Sequence, residues 1–303
     1  MRRTMKKHLL CWVSAAVFSA GIWGGIGPGF AEVIRLKRGE VIRAPIIEQT
    51  DEYIKVKRYG TILTYWKDDI EEIGSSEFPA AKAVKGLSRE TIEVGDDEVR
   101  IDVYNPGTSL CPVVILIHGS AGIQGDRAQR YKRFATDLMN EGVIAINVHY
   151  FQSARSNWGN TFVRVVDYAQ MIPNADKEKI GIVGYSLGGT IGLEVASADP
   201  RVKLFAMVAG FLPPGFRKED ARRLPRTLMV CGDQDSAYET LLKLEKWFNE
   251  MNKPYVKKVE PGIGHDNIPM KIFKEDWDRV VVFFTDNFGI TNWGGKRLKV
   301  RVE

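Results

Sequence analysis

The chain has 303 residues, 44% apolar, 27% charged and 10% aromatic, room for one substantial core and a smaller second unit. Its formal charge of +5 comes from 43 Lys and Arg against 38 Asp and Glu, yet four of those bases crowd the first seven positions. Without residues 1–31 the count is 39 against 38, which excludes a nucleic-acid binder driven by bulk positive charge; no repeat, heptad run or low-complexity tract points to a fibrous or solenoid protein.

Arg2, Arg3, Lys6 and Lys7 form a basic head, residues 9–26 carry no charge, and Gly29-Phe30-Ala31 ends on small residues. That order is a secretory signal over 1–31, and the protein is expected to be exported, periplasmic or secreted, with no membrane span after cleavage. A retained membrane helix is the alternative; Gly21, Gly24, Gly25, Gly27 and Pro28 weaken it. Lys6 stands where a twin-arginine signal would have an apolar residue. Residues 32–74 then alternate in short period-2 runs (33–37, 41–47, 53–57, 61–65, 68–73) separated by turn residues, an antiparallel all-β unit. Pro45 inside one run suggests an edge or bulge. The pattern resembles the small SH3-like or Sm-like barrels near the N-termini of exported bacterial proteins, and such a unit is where a weak envelope or protein partner would dock. A linker is expected over 75–87.

From 88 the rhythm changes. A hairpin is expected from 91–94 and 99–104 around Gly95-Asp96-Asp97. Strands at 113–117, 143–148, 180–183, 202–208, 227–230 and 255–259 then alternate with helices near 127–141, 160–172, 187 onward, 237–251 and 271–287. Near-continuous apolar strands alternating with amphipathic helices predict an α/β fold, a mostly parallel sheet with helices on both faces. Ligands in such sheets bind at the carboxyl ends of the strands. Cys111 and Cys231, the two cysteines left after signal removal, would lie at opposite strand ends and are expected to be buried thiols. Residues 291–303 form a basic tail that suits a solvated edge strand.

Three motifs fall at those strand ends. The first is Gly184-Tyr185-Ser186-Leu187-Gly188-Gly189, after an apolar strand and before a helical pattern. A tight strand-to-helix turn exposes a serine to a base, and the setting predicts Ser186 as a nucleophile. The second is His118-Gly119-Ser120-Ala121-Gly122. Acyl transfer needs two N–H donors for its oxyanion. The expected donors are Leu187, after the nucleophile, and Ser120, with Ala121 next. His118 is expected to bond the loop backbone and not to act as base, because partners of such an elbow follow the serine in the order acid, then His. The third motif supplies them: Gly232-Asp233-Gln234-Asp235, then Gly264-His265. His265 is the expected base, since His149 would be out of order, and either aspartate could orient it.

With these motifs in view, residues 88–290 resemble the dienelactone hydrolase-like branch of the α/β-hydrolase superfamily. The resemblance implies an α/β-hydrolase fold without a large lid and selects Asp235, three residues after Gly232, over Asp233. Members that cleave dienelactone carry a cysteine nucleophile; Ser186 in its place favours ordinary esters. The substrate is expected to be a small-molecule carboxylic ester, and no cofactor or metal is implied. Loops at the same sheet edge offer Tyr150, Arg155, Trp158, Phe211 and Tyr238 as pocket residues for a moderately apolar acyl group. A peptidase of the prolyl-oligopeptidase-related branch, or a non-catalytic envelope protein on a hydrolase scaffold, are the alternatives.

Overall fold

The computed structural model describes residues 32–37, 41–44, 46–58, 61–75, 85–94, 97–108, 110–150, 158–265 and 277–290. The signal-like segment, Pro45, most of the linker, Arg155 and the basic tail lie outside them.

The N-terminal unit is two small antiparallel sheets. One holds β1 (Glu32–Leu36), β2 (Val41–Ala44) and β6 (Ile70–Ser75) in the order β2-β1-β6; the other is β3 (Ile46–Gln49), β4 (Tyr53–Arg58) and β5 (Thr61–Trp66). The run expected at 41–47 is therefore two strands in two sheets, Val41–Ala44 in one and Ile46–Gln49 in the other. Ile34, Leu36, Ile42, Ile54 and Val56 make its private core.

Among the described residues the main sheet has eight strands in the order β14-β13-β12-β11-β9-β10-β8-β7. These are β7 (Gly86–Val94), β8 (Asp97–Asn105), β9 (Cys111–Ile117), β10 (Ile144–His149), β11 (Ala175–Tyr185), β12 (Val202–Val208), β13 (Arg226–Gly232) and β14 (Tyr255–Glu260). The six from β9 to β14 pair parallel and the β7–β8 hairpin closes one edge antiparallel. Every residue of β9 is buried, whereas β7 begins by alternating exposed and half-buried positions, as a two-face-covered strand and an edge strand should. The helices are α1 (Asp126–Asn140), α2 (Trp158–Met171), α3 (Leu187–Ala198), α4 (Lys218–Arg223), α5 (Tyr238–Glu250) and α6 (Trp277–Phe288). They cover both faces. A Cβ on Gly181 would run into Phe284 of α6, while Ile182, its neighbour on β11, packs toward Gly192 of α3; successive strand residues point to opposite faces.

Three expectations are corrected. Gly86 and Leu87, read as linker, pair with Asn105 and Tyr104, so the linker is shorter at its C-terminal end. β11 begins at Ala175, which pairs with Cys111, five residues before the expected start, because Asp176 to Lys179 are charged and half-buried or exposed and so carry no apolar strand signal. The six-residue α4 was not foreseen: it buries only Ala221 and is held at its start by the Arg217 N–H on Asp220 Oδ2 at 2.8 Å. Cys111 and Cys231 are free and buried.

Candidate active site

The chain order of β9, β10 and β11 reverses direction across the sheet, since β9 lies between the other two. The loops after β9 and β11 therefore leave the same edge side by side, at a switch point. Contact there is close enough to require glycine: a Cβ on Gly188 would overlap the Ile117 carbonyl, and one on Gly184 the Gly188 carbonyl. Between β11 and α3, Ser186 is held at φ 52°, a region non-glycine residues rarely adopt. Its N–H donates to Val208 O at 2.8 Å and its carbonyl accepts from Thr190 N–H at 3.1 Å, so strand and helix together fix the turn.

Ser186 Oγ lies 2.8 Å from His265 Nε2, and His265 Nδ1 lies 2.8 and 3.0 Å from the two oxygens of Asp235. An ionised carboxylate only accepts. Nδ1 therefore carries the proton, which leaves Nε2 free to accept from Ser186. The Asp235 side chain has no exposed surface, and Ala237 N–H donates to its Oδ1 at 2.7 Å. Asp233, two residues earlier, faces elsewhere: its Oδ1 accepts from Gly262 N–H at 2.7 Å. With Gln234 N–H on Ile263 O at 3.2 Å, it ties the loop bearing His265 to the end of β13.

Two aromatic side chains flank the imidazole. Tyr185 stacks near it, ring centroids 5.8 Å apart, and its hydroxyl donates to His265 O at 3.2 Å. Phe211 tilts over it at 5.6 Å. Thr190 holds Phe211 in turn, accepting its N–H at 3.0 Å. Neither Tyr185 nor Thr190 was given a role from sequence; Tyr185 sits inside the elbow motif and Thr190 directly after it, where their spacing to Ser186 could have marked them.

The other candidate residues divide. Leu187 opens α3 half-buried, and Ser120 lies exposed in the loop after β9, with Ala121 beside it. His118 bonds that loop, its Nδ1 2.7 Å from Gly119 O, and burial holds its pKa down at about 4. His149 lies apart, with Nε2 2.9 Å from Asp102 Oδ2 and Nδ1 2.8 Å from the Arg100 guanidinium. Burial alone would raise the Asp102 carboxyl, but the bond to His149 and the charges of His149, Arg100 and Arg89 hold it below the usual carboxylate range. Trp158, Phe211 and Tyr238 are half-buried at the predicted edge. Tyr150 is the correction among the pocket residues: it is only 6% exposed and its hydroxyl donates to His118 O, so it packs the loop and offers little surface to a substrate. Among the described residues no three His, Cys, Asp or Glu side chains are grouped to hold a metal ion.

Residues 150–268, which include Ser186, Asp235 and His265, match the model of the dienelactone hydrolase family. No curated protein matches the chain. Among solved structures it is similar to Est1E from Butyrivibrio proteoclasticus, with 17% identity, a TM-score of 0.55, and coverage of 66% of this chain and 99% of that one. An esterase from the fungus Rhizomucor miehei gives 15%, 0.58, 68% and 85%. A thermostable esterase from Pseudomonas putida gives 15%, 0.53, 66% and 80%. At such identities the likeness establishes the fold, that of the α/β-hydrolases, and the family match supports a hydrolase.

Proposed function

We propose that this chain is a serine esterase that hydrolyses small to medium carboxylic esters through an acyl-enzyme on Ser186. One observation carries the reading: the unbroken line of hydrogen bonds from Ser186 Oγ through His265 to buried Asp235. As Oγ attacks the ester carbonyl, its proton passes to His265 Nε2, and Asp235 holds the tautomer and stabilises the imidazolium. The carbonyl oxygen takes up the negative charge, facing the Leu187 and Ser120 N–H groups. Collapse breaks the C–O bond, and His265 gives its proton to the departing alkoxide. Water then adds to the acyl group, losing its proton to His265, and releases the carboxylic acid as Ser186 Oγ recovers a proton. Phe211, Trp158 and Tyr238 favour an apolar acyl group over a highly charged one. Export follows from residues 1–31, and the N-terminal β unit would serve any envelope partner.

Ser186→Ala tests this directly. Turnover of a nitrophenyl ester should fall by about 10³-fold or more, with the melting curve unchanged. Full turnover in the purified variant would remove Ser186 from the chemistry. A parallel panel of peptide amides, cleaved faster than esters, would redirect the reading to a peptidase.

A further inference from the structure

The loop after β9 passes directly beside the nucleophile: a Cβ on Gly119 would lie 3.3 Å from Ser186 Cβ and 3.0 Å from the Tyr185 ring. It closes as a four-residue turn, with Gly122 N–H donating to Gly119 O at 3.1 Å. A second donor reaches the same oxygen, His118 Nδ1–H at 2.7 Å. One residue back, the Tyr150 hydroxyl donates to His118 O at 2.5 Å. The two rings are stacked, centroids 4.2 Å apart and planes 12° from parallel, and Tyr131 closes the imidazole edge-on at 6.3 Å. His118 is 2% exposed.

A trans peptide is a rigid plate whose C=O and N–H point in opposite directions. The plate joining Gly119 to Ser120 is gripped at its oxygen by two donors, one of them a buried ring. The Ser120 N–H at its other end therefore faces away from the packed side, and among the described residues no protein acceptor takes it. Oxyanion donors work because they are aimed in advance, and hydrogen bonds weaken steeply off axis. An exposed turn alone would hold that angle poorly.

We propose that His118 and Tyr150 are positioning residues that aim the Ser120 N–H at the developing oxyanion, through a buried imidazole–phenol stack that itself never touches substrate. The inference rests on the serine hydrolase reading and deepens it. It moves Tyr150 from substrate wall to support, and it gives His118 work without a proton transfer.

Tyr150→Phe keeps the ring and deletes the donor to His118 O. It should lower kcat about tenfold at unchanged KM, and weaken by the same factor a trifluoromethyl ketone, which presents an oxyanion once Ser186 has added to it. Ser120→Pro deletes the N–H itself at the second turn position, where proline's φ fits. It should cost about a hundredfold in kcat, and the double variant should be no slower than Ser120→Pro alone. Wild-type kcat in Tyr150→Phe, or two losses that multiply, would overturn the proposal; so would a raised KM with kcat intact, which would return Tyr150 to the substrate. Should Tyr150→Phe not fold, His118→Gln, which retains a donor for Gly119 O, must keep more kcat than His118→Leu, and equal losses would count against the proposal. Fluorophosphonate labelling of wild-type Ser186 separates the two levels: no labelling and no turnover would defeat the hydrolase reading, whereas labelling with indifferent variants would defeat only the positioning.

Discussion

Asp233 and Asp235 lie on one turn, yet one accepts from the Gly262 backbone and the other from the His265 ring. Asparagine at 233 still presents an oxygen to Gly262 N–H, so Asp233→Asn should keep kcat within about threefold. Asparagine at 235 can donate to Nδ1 and favour the wrong tautomer, and Asp235→Asn should lose about 10⁴-fold. Steady-state kinetics on a nitrophenyl ester would check both, and the reverse order would show that the wrong carboxylate had been assigned. His118 gives a pH signature of a different kind. Its pKa is lowered from 6.5 to about 4 in the fold, so between those values the unfolded chain takes up a proton there that the folded chain refuses. Its neutral form supports full stability above pH ~6.5, and stability is lost as pH falls toward ~4, by about 3 kcal/mol at the end. Urea melts across that window should show a steeper loss in wild type than in His118→Gln; parallel curves would contradict it. The pairing of Ser186 with His265 was legible in the sequence because motif and chain order suffice to single the two out. The choice between the two aspartates needed a family resemblance, since both follow the same strand. The burial of Tyr150 was not legible because the rings packed on it come from separate segments, His118 after β9 and Trp158 and Phe162 on α2.

Among the elements, the strands that carry the site were legible for a simple reason: β9, β12 and β13 are buried almost throughout, and unbroken apolar runs mark such strands. What the sequence hid were elements whose stability lies elsewhere. The start of β11 is charged, α4 is short and polar, and Gly86-Leu87 joins a ladder whose partner is β8. The β9–α3 contact makes the sharpest element-scale prediction. In Gly188→Ala the new methyl meets the backbone carbonyl of Ile117, which no rotamer change relieves. The variant should lose more than about 3 kcal/mol of stability, with turnover falling alongside. A melting curve within a degree or two of wild type would mean that α3 can move away from β9, and that the elbow is looser than its packing implies.

At the scale of the molecule, the described residues form two apolar cores with no buried residue in common, one under the N-terminal sheets and one around the eight-stranded sheet. Separate cores make separate folding units, and every residue assigned here to chemistry belongs to the second. Removing residues 32–74 should therefore leave turnover of a small ester within about threefold; loss of activity in a folded remainder would mean that the N-terminal unit walls the pocket. The hydrophobic rhythm changes near residue 88 in the sequence, whereas the arrangement of the first unit as two sheets leaves no such mark there. On the proposed function the large unit works by acylating one serine. A rapid quench of the enzyme with an excess of a nitrophenyl ester, followed by peptide mass mapping, tests it most directly. The account predicts the acyl mass on the peptide containing Ser186, formed in step with a burst of nitrophenol and absent from Ser186→Ala. Sustained turnover with no acyl group on Ser186, or with the acyl group on another residue, would contradict it.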